Sequence, residues 1–163
     1  MKKLIYTLLI IIALTNNSFA AGSSSDSDST PKASDYTKAK NLIEAAKKYE
    51  KKRKIEKAQE RYAKAQKLLL KSNEIKPLQA DTLNYLGFTT RKLGDYEKGE
   101  KFYLLGLQVE PNHNGINEYL GELYVATNRM DMAKERLEVL KTCNCEEFNE
   151  LKEIIEGTKK SKY

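Results

Sequence analysis

The sequence predicts an all-α chain: about three antiparallel helix hairpins stacked as a solenoid and closed by a capping helix. Three observations carry that expectation. Residues 80–113 place apolar or small side chains at Leu83, Leu86, Gly87 and Thr90, the i, i+3, i+4, i+7 spacing of one helix face. Gly94-Asp95 interrupts this as a turn, a second face follows at Tyr96, Gly99, Tyr103, Gly106 and Leu107, and Pro111-Asn112 closes it. The same residue types then recur at an interval of 34 positions, forward as Leu120-Gly121, Tyr124, Ala133 and Leu137, backward as Tyr62, Ala65, Leu69, Ser72, Ile75 and Pro77. Last, the C-terminal stretch carries one apolar stripe, Phe148, Leu151, Ile154 and Ile155, with no second helix after it.

Leu86-Gly87 on the first helix, Gly94-Asp95-Tyr96 at the turn, then Gly99, Tyr103, Gly106 and Pro111 make the repeat resemble the tetratricopeptide repeat (TPR), as found in small exported bacterial TPR proteins. Leu83 and Thr90 depart from it, standing where tryptophan and tyrosine are common. The resemblance covers residues 38–157. It implies a TPR-type solenoid whose concave groove, lined by the first helix of each hairpin, binds a peptide or a partner helix.

Taken in order, residues 1–20 read as a secretory signal peptide: Lys2 and Lys3, an apolar core from Leu4 to Leu14, and Ser18-Phe19-Ala20 as a small-x-small cleavage site. The core is shorter than the roughly 20 apolar residues of a membrane span. The expected location is outside the cytoplasm, periplasmic or secreted. Residues 21–35 are a Ser/Asp-rich linker, too polar to bury a core. The TPR domain is expected over 36–157. In its first hairpin Ala39, Leu42, Ala45, Ala46 and Tyr49 mark one helix and Ile55, Ala58, Tyr62, Ala65 and Leu69 the next. No Gly or Pro marks the break near Lys52–Lys54, so one continuous helix is also compatible with the pattern. The central repeat, 80–113, precedes another over 114–142, whose turn at Asn128 suits left-handed geometry. A cap helix is expected over 145–156, with Asn144 as its N-cap, Glu147 three residues on and Gly157 at its end. Residues 158–163 are a basic tail.

Charge is unevenly spread. Residues 38–71 hold thirteen Lys or Arg against four Glu, net +9, whereas residues 114–157 hold five against ten acidic groups, net −5. The run Lys47, Lys48, Lys51, Lys52, Arg53, Lys54 reads as a solvated polar cap, or as a weak contact with an anionic envelope surface or an acidic partner. Nucleic acid is not expected: the chain looks exported and lacks aromatics interleaved with the basic run.

No catalytic constellation, cofactor site or metal site is recognisable. His113 is the one histidine, placed in a turn with no nucleophile near it in sequence. Cys143-Asn144-Cys145 is the one chemically pointed feature. It reads first as a local disulfide or simple burial, and alternatively as a thiol-redox or soft-metal pair. The function expected from the resemblance is a protein–protein interaction adaptor rather than an enzyme. The face opposite the core face of the central first helix presents Asp81, Asn84, Tyr85, Phe88, Arg91 and Lys92; stepping on by one repeat adds Glu118, Tyr119 and Glu122. These nine are the expected groove residues, with the aromatics exposed as contact sites. Glu118 and Glu122 make the face unsuited to a terminal carboxylate.

Overall fold

The computed structural model describes residues 34–161; the expected signal peptide and nearly all of the expected linker lie outside them. Among the described residues there are seven helices and no strand: α1 Asp35–Lys51, α2 Ile55–Ile75, α3 Ala80–Lys92, α4 Tyr96–Val109, α5 Asn114–Ala126, α6 Met130–Leu140 and α7 Glu146–Ile155. α1 pairs with α2, α3 with α4 and α5 with α6; α7 lies against α5 and α6. The first helices also meet one another, α1 against α3 and α3 against α5.

One turn design recurs four times. A single left-handed residue follows the helix, and the next amide reaches back five positions to a carbonyl: Lys54 to Tyr49, Asp95 to Thr90, Arg129 to Tyr124 and Thr158 to Glu153, at 2.8–3.1 Å. The left-handed residues are Arg53, Gly94, Asn128 and Gly157. Two glycines and an Asn take this conformation cheaply; Arg53 takes it without that advantage. The break at Lys52–Lys54 is therefore a real turn and not a continuous helix.

The first hairpin is longer than the repeat period. Arg53 precedes Gly94 by 41 positions, whereas Gly94 precedes Asn128 by 34. The seven extra residues are two helical turns, and α2 has 21 residues against 14 in α4. Periodicity places Tyr62, Ala65 and Leu69 correctly in the core, because the C-terminal ends of α2 and α4 keep the 34-residue register. It misplaces Ile55, which is exposed in the first turn of α2, where the longer hairpin projects past its neighbour. On α1 the buried positions are Ala39, Ile43 and Ala46. Tyr96, expected on the packed face of α4, is also exposed at the turn.

Caps follow local chemistry. Ser34 Oγ accepts from the Thr37 amide at 3.1 Å and Asp95 Oδ1 from the Lys98 amide at 3.0 Å. His113 caps α5: its Nδ1 accepts from the Ile116 amide at 3.2 Å, which leaves the proton on Nε2 to face Asp81 Oδ1 at 3.2 Å. The turn histidine is thus a structural cap, with its side chain only 13% exposed. Asn144 does not cap α7. It sits at φ 48° in the preceding turn, and Cys145 is the N-cap residue, with no side-chain capping bond.

Two buried clusters form the core, one built on α1, α2 and α3 and the other chiefly on α4, α5 and α6; Tyr119 packs against both. The helices approach closely at Gly87. A Cβ there would lie 2.5 Å from Cε1 of Tyr103, whose ring is fully buried and has nowhere to swing. In an open helix Gly→Ala gains about 1 kcal/mol. Gly87→Ala is expected to reverse that sign and lose about 1–3 kcal/mol by overpacking, read as a lower midpoint in urea unfolding.

Candidate functional site

The expected groove residues do share one side of the stack, α3 and α5, flanked by α1 and α7. Their exposure differs from the expectation. Phe88 is 2% exposed, Asn84 and Glu118 are 5%, Arg91 is 2% and Glu122 is 0%. The Lys92 side chain is 7% exposed. Only Asp81 stands fully out, while Tyr85 and Tyr119 are half-buried.

The cause is closure of this face by its own neighbours. The longer α1 reaches over α3: Lys47 Nζ lies 5.2 Å from the Phe88 ring centroid, and Glu50 takes Lys92 Nζ at 2.6 Å and the Tyr62 hydroxyl at 2.9 Å. Phe88 also packs between Tyr62, edge to face, and Tyr119, tilted, at centroid distances of 5.7 and 5.1 Å. Arg91 crosses from α3 to α5. Its Nη1 donates to the Tyr119 carbonyl at 2.7 Å and its Nη2 meets Glu122 Oε2 at 3.3 Å, both side chains being fully buried. A helical wheel sends these charges to solvent; in the folded chain they neutralise each other across two helices.

What stays accessible is divided by charge. At the α1 end a cleft of about 530 Å³ is lined by Glu44, Lys47, Lys48, Glu50, Lys51, Phe88 and Lys92. Beyond it, Lys52, Arg53 and Lys54 are exposed at the first turn. At the α7 end a cleft of about 350 Å³ runs past Asp81, Asn84, Tyr85, Glu110, Gly115, Glu118, Tyr119 and Glu147. It adjoins a smaller one lined by Glu118, Tyr119, Glu146, Glu147 and Glu150. Carboxylate oxygens of Glu118, Glu122 and Glu150 come within 4.8 Å of one another. Such a set has the ligand type for a hard cation, though Arg91 already provides counter-charge to Glu122. Burial pushes the phenols of Tyr85 and Tyr119 above their ordinary value, with nearby carboxylates adding to it, so both stay neutral donors. A further opening of about 580 Å³, edged by Tyr36, Lys71, Ile75 and Gln79, lies at the N-terminal end of α1 and shares Asp81 with the cleft at the α7 end.

Cys143 and Cys145 are joined in a disulfide, with Cα atoms 5.2 Å apart, in the turn before α7. Joined sulfurs offer no thiolate to a soft metal. The loop they close is very short, so Cys143→Ser with Cys145→Ser is expected to lose only about 1–2 kcal/mol of fold stability. Thermal melts of the oxidised parent and the double variant check this.

These features define a class: an all-α helical-repeat protein with a charged, partly closed first-helix face. No protein-family model and no curated protein matches the sequence. Among solved structures, the first TPR domain of human RPAP3, determined by NMR, is similar with a TM-score of 0.54 and 22% identity, covering 77% of this chain and 98% of that one. The first TPR of Spaghetti (RPAP3) bound to HSP90 peptide SRMEEVD is similar with a TM-score of 0.48 and 23% identity, covering 77% and 96%. The former likeness shows the fold, a TPR-type solenoid.

Proposed function

We propose that this chain is a protein–protein interaction adaptor that holds a peptide or an extended segment of a partner protein along its first-helix face, outside the cytoplasm. One observation carries the reading. On that face two clefts of opposite charge adjoin the half-buried Tyr85–Tyr119 region, and side chains such as Lys48 and Glu147 are not spent on the contacts that build the fold. Half-buried aromatics beside unspent charges are what a peptide anchor needs. A terminal carboxylate suits the α7 end poorly, because Glu118, Glu146 and Glu147 would repel it. The exposed Lys51–Lys54 run also suits a weak contact with an anionic envelope surface. Export rests on the signal-peptide pattern of residues 1–20.

Site-specific photo-crosslinking in cells tests the binding reading. A photoreactive residue replaces Tyr85 or Tyr119 in turn, and Lys64 or Lys101, exposed on α2 and α4, as controls. The expected result is a crosslink to one recurring partner segment, identified by mass spectrometry, from the first two positions only. Equal crosslinking from Lys64 and Lys101 contradicts the reading. Intact mass of the exported protein tests the location: a mature chain starting at Ala21 is expected.

A further inference from the structure

We propose that the turn between α1 and α2 docks this chain on a bilayer that carries anionic lipid, with the α7 end turned away from the surface. Such docking deepens the envelope contact named above and does not depend on peptide binding. Residues 48–57 hold six Lys or Arg against two Glu, net +4. Lys48, Lys51, Lys52, Arg53, Lys54 and Lys57 are all exposed, and none has an ion-pair partner among the described residues. The nearby carboxylates are engaged elsewhere: Glu44 holds Lys47, Glu60 holds Lys64, and Glu50 holds Lys92 and the Tyr62 hydroxyl. Glu56 is the one exposed acid within the run. Unpaired like charges held this close repel one another, and an anionic surface relieves that repulsion.

Two further observations separate this turn from an ordinary solvated charge run. Ile55, the first residue of α2, is 54% exposed in the middle of the cations. An apolar side chain ringed by ammonium and guanidinium groups matches the boundary between lipid headgroups and acyl chains. Arg53 holds the left-handed position of the turn, at φ 55°, where the turns after α3 and α7 use Gly94 and Gly157. A residue with a Cβ is disfavoured there, so the turn carries this charge against its backbone preference. Residues 51–57 are exposed without a break. A fluid lipid surface meets charges on every side of such a turn, whereas a rigid acidic partner meets one side only. Charge also sets the orientation. Residues 114–157 carry net −5, so an anionic surface attracts the first hairpin and repels α5 to α7. Docked this way, the cleft lined by Tyr85, Tyr119 and Glu147 stays open to a partner.

The test is flotation of the mature chain, from Ala21 on, with vesicles of phosphatidylcholine alone or mixed with phosphatidylglycerol. Binding is expected to the mixed vesicles only, and it should fall as salt is raised. Arg53→Gly should melt no lower than the parent, since glycine suits the left-handed position. It should nevertheless bind about fivefold more weakly, the effect of removing one cation from an anionic surface. Ile55→Ser should also weaken binding severalfold, while Lys134→Gln, at an exposed lysine on α6, should leave it unchanged. A Lys134→Gln loss as large as that of Arg53→Gly overturns the docking turn and leaves a diffuse envelope contact standing. Tighter binding to soluble polyglutamate than to the mixed vesicles points to an acidic protein partner and overturns it as well. No preference for the mixed vesicles overturns both the docking turn and the envelope contact.

Discussion

Glu122→Ala is expected to bring the fold close to unfolding. It leaves the buried Arg91 guanidinium facing an empty carboxylate site, and removing one partner of a buried ion pair costs about 3–5 kcal/mol. A domain of this size has roughly 5–15 kcal/mol in total. The pair also fixes α3 to α5, since Arg91 Nη1 donates to the Tyr119 carbonyl as well. Arg91→Met combined with Glu122→Leu should regain part of the loss, because both members of the buried pair then leave together, while the buried Glu118 carboxylate beside them stays. Urea unfolding of the two single variants and the double variant measures the coupling. A Glu122→Ala loss below about 1 kcal/mol, the range of an exposed pair, contradicts the burial described above.

Phe88→Ala is the second large effect, with an expected loss of about 3–5 kcal/mol for truncating a buried aromatic. The ring is held by Tyr62, Tyr119 and the Lys47 ammonium, so three helices lose a common contact. Asp81→Asn on the same helix should shift stability by about 0.5 kcal/mol or less. Comparison of their thermal melts separates a residue that builds the face from one that the face presents. A Phe88→Ala protein melting like Asp81→Asn would place Phe88 on an open surface.

The repeat was legible wherever local chemistry and period agreed. Gly94-Asp95 and Asn128 mark left-handed turns by residue type, and Tyr62, Ala65 and Leu69 mark the core by spacing. Arg53 adopts the same turn with no compositional sign, and the seven-residue extension of the first hairpin hides it from a step of 34. That the nine expected groove residues share one side of the stack was legible; the burial of most of them was not. Arg91 and Glu122 lie 31 residues apart, and each alone reads as a surface charge. Only the approach of α5 to α3 makes them a buried pair. The same holds for Phe88, covered by Tyr62, Tyr119 and Lys47 from three other helices. His113 carried a weak signal in its position just before an apolar helical run, where a cap is needed, although histidine is not a common cap.

Chemical-shift mapping of the isotopically labelled chain with the partner segment identified by photo-crosslinking tests the central claim most directly. The account predicts that the largest shifts fall at Tyr85, Gly115, Tyr119 and Glu147, with α2 and the outer surfaces of α4 and α6 unmoved. Shifts concentrated on α2, α4 or α6 instead would contradict the claim that this protein binds its partner along the first-helix face.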